Sequence, residues 1–223
     1  MKITLLHPSR GRAQKAYETF DTWMQRCTGK FEIEHILSLD EDDPQVQNYA
    51  NRFPLNSKCC IGPNTCVVDA TNAAAKHATG DILIYLSDDF NCPHHWDLLV
   101  IKRSLAQNRK EWLMKVDDGL QPFDVKVLTI PIMSNYLYQK LGYFWYPEYK
   151  SMFVDEDLYH TAANMDALFM APEITFKHHH HSLGLCENDE TYSRSEKNWD
   201  QGKELFAHRK ASGFPPLSIE VNN

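Results

Sequence analysis

No run of apolar residues in this chain approaches the roughly 18 to 20 that a membrane-spanning helix needs. Basic charge is also scarce: 23 Lys and Arg stand against 30 Asp and Glu, for a net charge of -7. Gripping a nucleic acid backbone takes a basic surface, so nucleic acid is not expected as a partner. Cysteine is sparse and unpatterned. The six residues, at positions 27, 59, 60, 66, 92 and 186, contain no CxxC pair. They fit neither a zinc ribbon nor a disulfide framework, and reduced thiols are expected. Met1 to Leu6 is too short an apolar run for a secretory signal, so a cytoplasmic location is expected. Repeats and Pro-, Gly- or Ser-rich linkers are absent, and 223 residues read as a single domain able to bury its own core.

What is present begins with Ile82-Leu83-Ile84-Tyr85-Leu86, followed at once by Ser87, Asp88 and Asp89. The apolar run reads as a strand buried on both faces. A parallel strand that ends in acids delivers them to the sheet edge where open α/β folds bind ligands. Crowded carboxylates there repel each other unless a cation or a proton offsets them. Around this strand the pattern alternates. Lys2 to Leu6 and Phe31 to Leu39 read as strands; Ala13 to Arg26 and Val67 to Ala78 read as helices, with Gly80 ending the second. The order β-α-β-α-β implies an α/β fold with a mainly parallel sheet. Cys59 to Asn64 reads as irregular. Further on, helices are expected over Trp96 to Asn108, Ser134 to Leu141, Asp157 to Asn164 and Trp199 to Ala211. Strands are expected over Val125 to Pro131 and Leu168 to Phe176, Gly142 to Tyr149 is an aromatic loop, and the tail from Glu187 is polar and poorly patterned.

Several clusters can carry chemistry. Pro8-Ser9-Arg10-Gly11-Arg12 lies between the first strand and helix, where backbone N–H groups and two guanidinium groups could meet an anion; a solvated turn is the plain alternative. The loop has neither the GxxxxGK phosphate-loop spacing nor the GxGxxG dinucleotide spacing. Asp40 to Asp43 closes the second strand, so an acid there either accepts from a base or ribose or caps the next turn. Asp88 and Asp89 suit Mg²⁺ or Mn²⁺, which typically share one or two acids with substrate phosphates; Asp88 alternatively caps a helix. Asp155-Glu156-Asp157 follows Phe144-Trp145-Tyr146-Pro147. A carboxylate beside those rings would suit a general base, and otherwise the cluster is the acidic first turn of a helix. His178 to His181 follow a strand, so His178 and His180, or His179 and His181, share a face and could reach a metal.

In order and spacing these motifs resemble the GT-A fold nucleotide-sugar glycosyltransferases, in particular the large inverting family two. The similarity spans residues 3–181 and includes Asn72 and the Ala78-Thr79-Gly80-Asp81 turn. The resemblance implies a Rossmann-like, mixed and mainly parallel sheet flanked by helices. Residues 1–90 would form the nucleotide-binding half and 91–186 the acceptor half, before a tail of 187–223. It further implies a donor nucleotide sugar, a UDP-sugar first, and a saccharide or other hydroxyl acceptor. Pro8, Ser9, Arg10, Arg12, Asp40, Asn72, Ser87 and Asp88 would meet the nucleotide. Asp89, with His178 or His180, would hold Mn²⁺ or Mg²⁺, while Asp155 or Glu156 would serve as base and Trp145 and Tyr146 would stack on the acceptor. Ser87 stands where the family's DxD motif has its first acid, which makes Asp88 a substitute candidate. Two other readings remain open: a sugar-phosphate nucleotidyltransferase, whose N-terminal loop is usually richer in glycine, and a non-catalytic nucleotide- or sugar-binding domain.

Overall fold

The computed structural model describes residues 1–54, 57–179, 184 and 189–217. The first half alternates as its apolar periodicity predicts. β1 (Lys2–Ser9) leads into α1 (Ala13–Arg26), β2 (Glu32–Asp40), the short α2 (Val46–Ala50), β3 (Lys58–Gly62), α3 (Val67–Ala75) and β4 (Ile82–Tyr85). β1 pairs in parallel with β2 and β4, and β2 with β3. Successive side chains of a strand point to opposite faces. Ile3, Leu5, Ile82 and Ile84 therefore pack with Trp23 of α1, whereas Leu6 and Leu83 pack with Val68 and Ala74 of α3. Covering both faces explains why these strands read as almost unbroken apolar runs. Between α3 and β4 the chain passes hard against β1. A Cβ on Gly80 would stand 2.6 Å from Thr4 Oγ1 and 2.8 Å from Thr4 N, so only glycine fits.

The second half adds β5 (Phe90–Asn91), α4 (Trp96–Leu105), β6 (Leu113–Asp117), β7 (Ile132–Ser134), α5 (Asn135–Leu141) and α6 (Val154–Asn164). It ends with β8 (Leu168–Thr175), β9 (Lys177–His178), α7 (Glu190–Glu196) and α8 (Trp199–Ala211). β7 joins β4 antiparallel; β6 then pairs antiparallel with β7 and parallel with β8. The result is one mixed, mainly parallel seven-stranded sheet in the order β3-β2-β1-β4-β7-β6-β8. β5 and β9 form a separate two-stranded ribbon. None of the described helices is long and apolar enough to cross a membrane.

Three local expectations are corrected. Residues 125–131 do not form a strand: the carbonyls of Val125 and Val127 turn to the buried Lys115 ammonium instead of a neighbouring strand. The strands of this region are β6 and β7, and Lys115 in the middle of β6 masks its apolar pattern. Cys59 to Asn64 contains the edge strand β3, whose largely solvent-facing side chains leave no apolar signature. The polar tail contains the helix α7. Residues 142–149 form the expected aromatic loop, and it belongs to the core, with Tyr143, Phe144, Trp145, Tyr146 and Tyr149 all buried.

Candidate active site

The ends of β1, β2 and β4 open into a cavity of about 310 Å³. Its walls come from every part of the chain. Pro8, Ser9, Arg10, Arg12 and Asp40 line one side, and Ser87, Asp88, Asp89, Asp155 and His178 another, with Trp145, Phe153, Thr191 and Arg194 completing it. Residues remote in sequence meet here because the parallel strands all end on one edge.

The two adjacent acids have different surroundings. Asp88 is 4% exposed, and both its oxygens are engaged. His7 Nε2 donates to Oδ1 at 2.8 Å, and Ser9 Oγ donates to Oδ2 at 2.9 Å. Behind Ser9 stands Tyr49, whose hydroxyl lies 2.8 Å from Ser9 Oγ and accepts from Arg12 N at 3.0 Å. Behind His7, Nδ1 lies 3.0 Å from His35 Nε2. Burial, followed by the charge of His7, holds the His35 imidazole well below its usual pKa, so His35 is neutral. These contacts fix Asp88 under the turn, and it caps no helix. The helix that follows starts after His95, seven residues further on.

Asp89 turns the other way, towards His178. The β5–β9 ribbon pairs Phe90 with His178 and sets His178 Nε2 3.3 Å from Asp89 Oδ2. His179 N donates to the Asp89 carbonyl at 2.9 Å, and Trp23 Nε1 to the Phe90 carbonyl at 3.0 Å, so both sides of the ribbon are anchored. One carboxylate and one imidazole suit a divalent cation that takes its remaining ligands from phosphate and water. Among the described residues no three acidic, histidine or cysteine groups form a complete cage. His180, the other candidate histidine, lies outside the described residues.

Asp155 sits in the first turn of α6, after Phe153, whose φ of 70° places it in the left-handed region. Burial pushes the Asp155 carboxyl above its ordinary 3.8, Asp118 adds to the rise, and His178 opposes it. On the opposite wall burial likewise raises Asp40, against the pull of Arg10 and Arg194. Arg10 donates to Asp40 Oδ2 at 3.1 Å and also contacts Asp42. Arg12 pairs with Asp189 through Nε and Nη2, at 2.6 and 2.5 Å.

In the turn Pro8 to Arg12, where backbone N–H groups and two guanidinium groups could meet an anion, the N–H groups of Gly11 and Arg12 are engaged within the protein. Gly11 N donates to Asp43 Oδ2 at 2.8 Å, Arg12 N to Tyr49 and Ala13 N to Gln45 Oε1 at 3.2 Å. Three further candidates are not brought to the cavity wall. Asn72 accepts from Phe144 N and Trp145 N at 3.0 and 2.9 Å, and donates to the Trp145 carbonyl at 2.8 Å. It thereby holds the loop that puts the Trp145 ring in the wall. Tyr146 lies under the Arg209 guanidinium, 3.8 Å from its ring centroid. Glu156, one residue past Asp155, projects from a different side of α6 because successive helical residues are about 100° apart.

His7, Phe153, Thr191 and Arg194 escaped the sequence reading. His7 ends an apolar run and carries the only signal of the four, a histidine at a predicted sheet edge.

No family model matches the chain, and no curated protein does. Solved structures do. S. aureus TarS 1-349 superposes with a TM-score of 0.62 at 14% identity, covering 100% of this chain and 76% of that one. The mannosyltransferase PcManGT from Pyrobaculum calidifontis, in complex with GDP-Man and Mn²⁺, gives 0.61 at 14% identity over 95% of this chain and 75% of that one. TarS 1-349 in complex with UDP-GlcNAc gives 0.61 at 12% identity over 86% of this chain and 61% of that one. Strand order, cavity and neighbours agree: the chain has the GT-A fold of the nucleotide-sugar glycosyltransferases.

Proposed function

We propose that the chain is an inverting glycosyltransferase that moves a sugar from a nucleoside diphosphate sugar to an acceptor hydroxyl. The observation that carries this reading is the convergence of Asp40, Asp89, His178, Asp155 and Trp145 on one cavity of a GT-A fold. Residues 1–90 supply the nucleotide side, through Pro8, Ser9, Arg10, Arg12 and Asp40. Asp89 and His178 would hold Mn²⁺ or Mg²⁺, which would neutralise the leaving diphosphate as a Lewis acid. Asp88 holds the turn that aims Asp89 and is not a substitute ligand, because both its oxygens are committed.

Asp155 is the general base. Burial raises its proton affinity by more than the backbone N–H groups of Glu156 and Asp155 and the charge of His178 lower it, which suits a group that must take a proton from a hydroxyl. The acceptor oxygen bonds to the anomeric carbon as the bond from that carbon to the diphosphate breaks, and the hydroxyl proton passes to Asp155. Trp145, buried at the edge of the cavity, contributes apolar wall on the acceptor side. Its ring is held edge-on against Tyr85, 5.5 Å between centroids, and its backbone is clamped by Asn72.

The test is release of nucleoside diphosphate from a panel of nucleotide sugars with Mn²⁺ and candidate acceptors. Asp155→Asn is expected to cost about 10²- to 10⁴-fold in kcat, the usual contribution of a general base. Asp89→Ala is expected to abolish the metal response. Turnover undiminished in Asp155→Asn would remove the base assignment, and no release with any donor would remove the class.

A further inference from the structure

Every arginine and lysine that lines the cavity is already paired with a carboxylate of the chain. Arg10 holds Asp40 and Asp42, Arg194 holds Asp40, Lys150 lies 3.9 Å from Asp69, and Arg12 holds Asp189. An anion that enters must therefore compete with a resident carboxylate for any guanidinium it takes. The residents differ in how firmly they are placed. Asp40 ends the strand β2, and Asp69 lies in α3, where Val68, Ala70 and Ala74 are buried. Asp189 instead precedes α7, accepts from Thr191 N at 3.0 Å and is 38% exposed. α7 itself rests on polar ties. Thr191 Oγ1 donates to the Arg10 carbonyl at 3.1 Å, and Arg194 donates to Asp40 Oδ2 at 3.2 Å and to the Thr65 carbonyl at 2.8 Å. None of its described side chains is buried, whereas α1 buries Ala13, Ala16, Phe20 and Trp23. A helix of seven residues has little stability of its own, and part-exposed ion pairs add little more. Asp189 thus sits on an element that is easily displaced.

Arg12, by contrast, is deep, with its side chain 8% exposed. Asp189 takes its Nε and Nη2 at 2.6 and 2.5 Å, the two-pronged geometry that a guanidinium also offers to phosphate. The charges of Arg12 and Asp89 both reach the Tyr85 hydroxyl, which burial and then Asp89 push up and Arg12 pulls down. Arg12 therefore acts on the part of the cavity where Asp89 stands. We infer that Asp189 competes with the donor's diphosphate for the Arg12 fork, so that binding of the diphosphate displaces Asp189 and loosens α7.

This inference rests on the nucleotide-sugar reading of the same cavity, and the experiment separates the two. Binding of UDP and of GDP with Mn²⁺ is measured by calorimetry for the wild type, Asp189→Asn, Arg12→Gln and the double variant. Asparagine keeps an oxygen to cap α7 and removes the charge that holds Arg12. Asp189→Asn is expected to tighten nucleotide binding by about tenfold, the scale of one hydrogen bond to a charged group. In the Arg12→Gln background the same replacement should change affinity by less than about twofold, because the contested fork is gone. Hydrogen exchange gives a second readout. The α7 amides, among them Ser193 N–H on the Asp189 carbonyl, should exchange faster in the wild type once nucleotide is bound. Unchanged or weaker affinity in Asp189→Asn would make Asp189 a support that orients Arg12, and overturns the competition. A gain that persists in the Arg12→Gln background, or exchange that slows or stays constant on binding, overturns it as well. Each of these results leaves the glycosyltransferase reading standing. Failure of both nucleotides to bind the wild type and Asp189→Asn overturns both.

Discussion

Burial pushes two carboxylates in this molecule the same way, yet their net pKa shifts are opposite in sign. Glu34, 7% exposed on β2, also feels burial first, which raises its pKa. Lys58, Thr4 and the N–H and hydroxyl of Thr79 together outweigh it and bring Glu34 down to about 2. A carboxyl depressed in the folded state stabilises it above the unfolded pKa of 4.5, and that contribution disappears as pH falls from there towards about 2. We expect it to be on the order of 2 kcal/mol after allowing for the half-exposed Lys58. Urea unfolding between pH 7 and pH 2.5 should show that slope in the wild type and a shallower one in Glu34→Gln. Asp155 behaves in reverse. Its folded pKa is raised, so its favourable contribution is complete below 3.8 and is lost as pH rises through the higher folded value. Asp155→Asn should therefore hold or raise Tm at neutral pH while turnover falls. The acid limb of kcat/KM should lie above the ordinary 3.8. A variant that loses stability and activity together would speak for a structural Asp155.

At the scale of elements, the turn before α6 depends on α8. Gly202 packs so closely that a Cβ there would lie 2.6 Å from the Met152 carbonyl, and Phe153 rests against Trp199 and Phe206 of α8, 4.9 and 5.8 Å between centroids. These contacts hold Phe153 at positive φ, a conformation that costs a bulky residue about 1 to 3 kcal/mol. Gly202→Ala must push α8 off or shift the turn, so we expect a loss of about 1 to 3 kcal/mol. Because Asp155 is only two residues past Phe153, kcat should fall more than the donor KM rises, which steady-state kinetics would resolve. The central strands and α1 were legible because the apolar runs and the 3.6-residue period were unbroken there: Ala13, Ala16, Phe20 and Trp23 are all buried. β3 and β6 were not. One faces solvent, and the other carries a lysine whose ammonium is satisfied by carbonyls 10 and 12 residues away. Such partners leave no mark on the local pattern. α7 was hidden for a similar reason, since its register is set by Arg12, Arg10 and Asp40, far away in the sequence.

Across the whole molecule the seven-stranded sheet is continuous, and the helix α8 is bound to α6 through charge. Arg209, 3% exposed, donates to both oxygens of Asp157, 1% exposed, at 2.8 and 2.9 Å, and covers the Tyr146 ring. Removing one partner of such a pair strands the other in the core. Arg209→Ala is expected to cost about 3 to 5 kcal/mol, visible as a drop in Tm of roughly 2 to 4 °C per kcal/mol for a chain of this size. Much of the cavity was foreseeable, because acids at the ends of successive parallel strands must share an edge. The choice between neighbours was not. Whether Asp88 or Asp89 faces the ligand depends on His7 and Ser9, which lie 81 and 79 residues earlier.

The small β5–β9 ribbon has a consequence for biosynthesis. Asp89 and His178 are separated by 89 residues, and their approach depends on a strand pair that closes at Lys177 and His178. A nascent chain that has released β1 to β4 can assemble the wall bearing Asp40, yet it has no paired cation site. Nucleotide affinity that is independent of metal should therefore arise earlier in synthesis than metal-dependent affinity, and stalled chains ending before and after residue 179 would show the order.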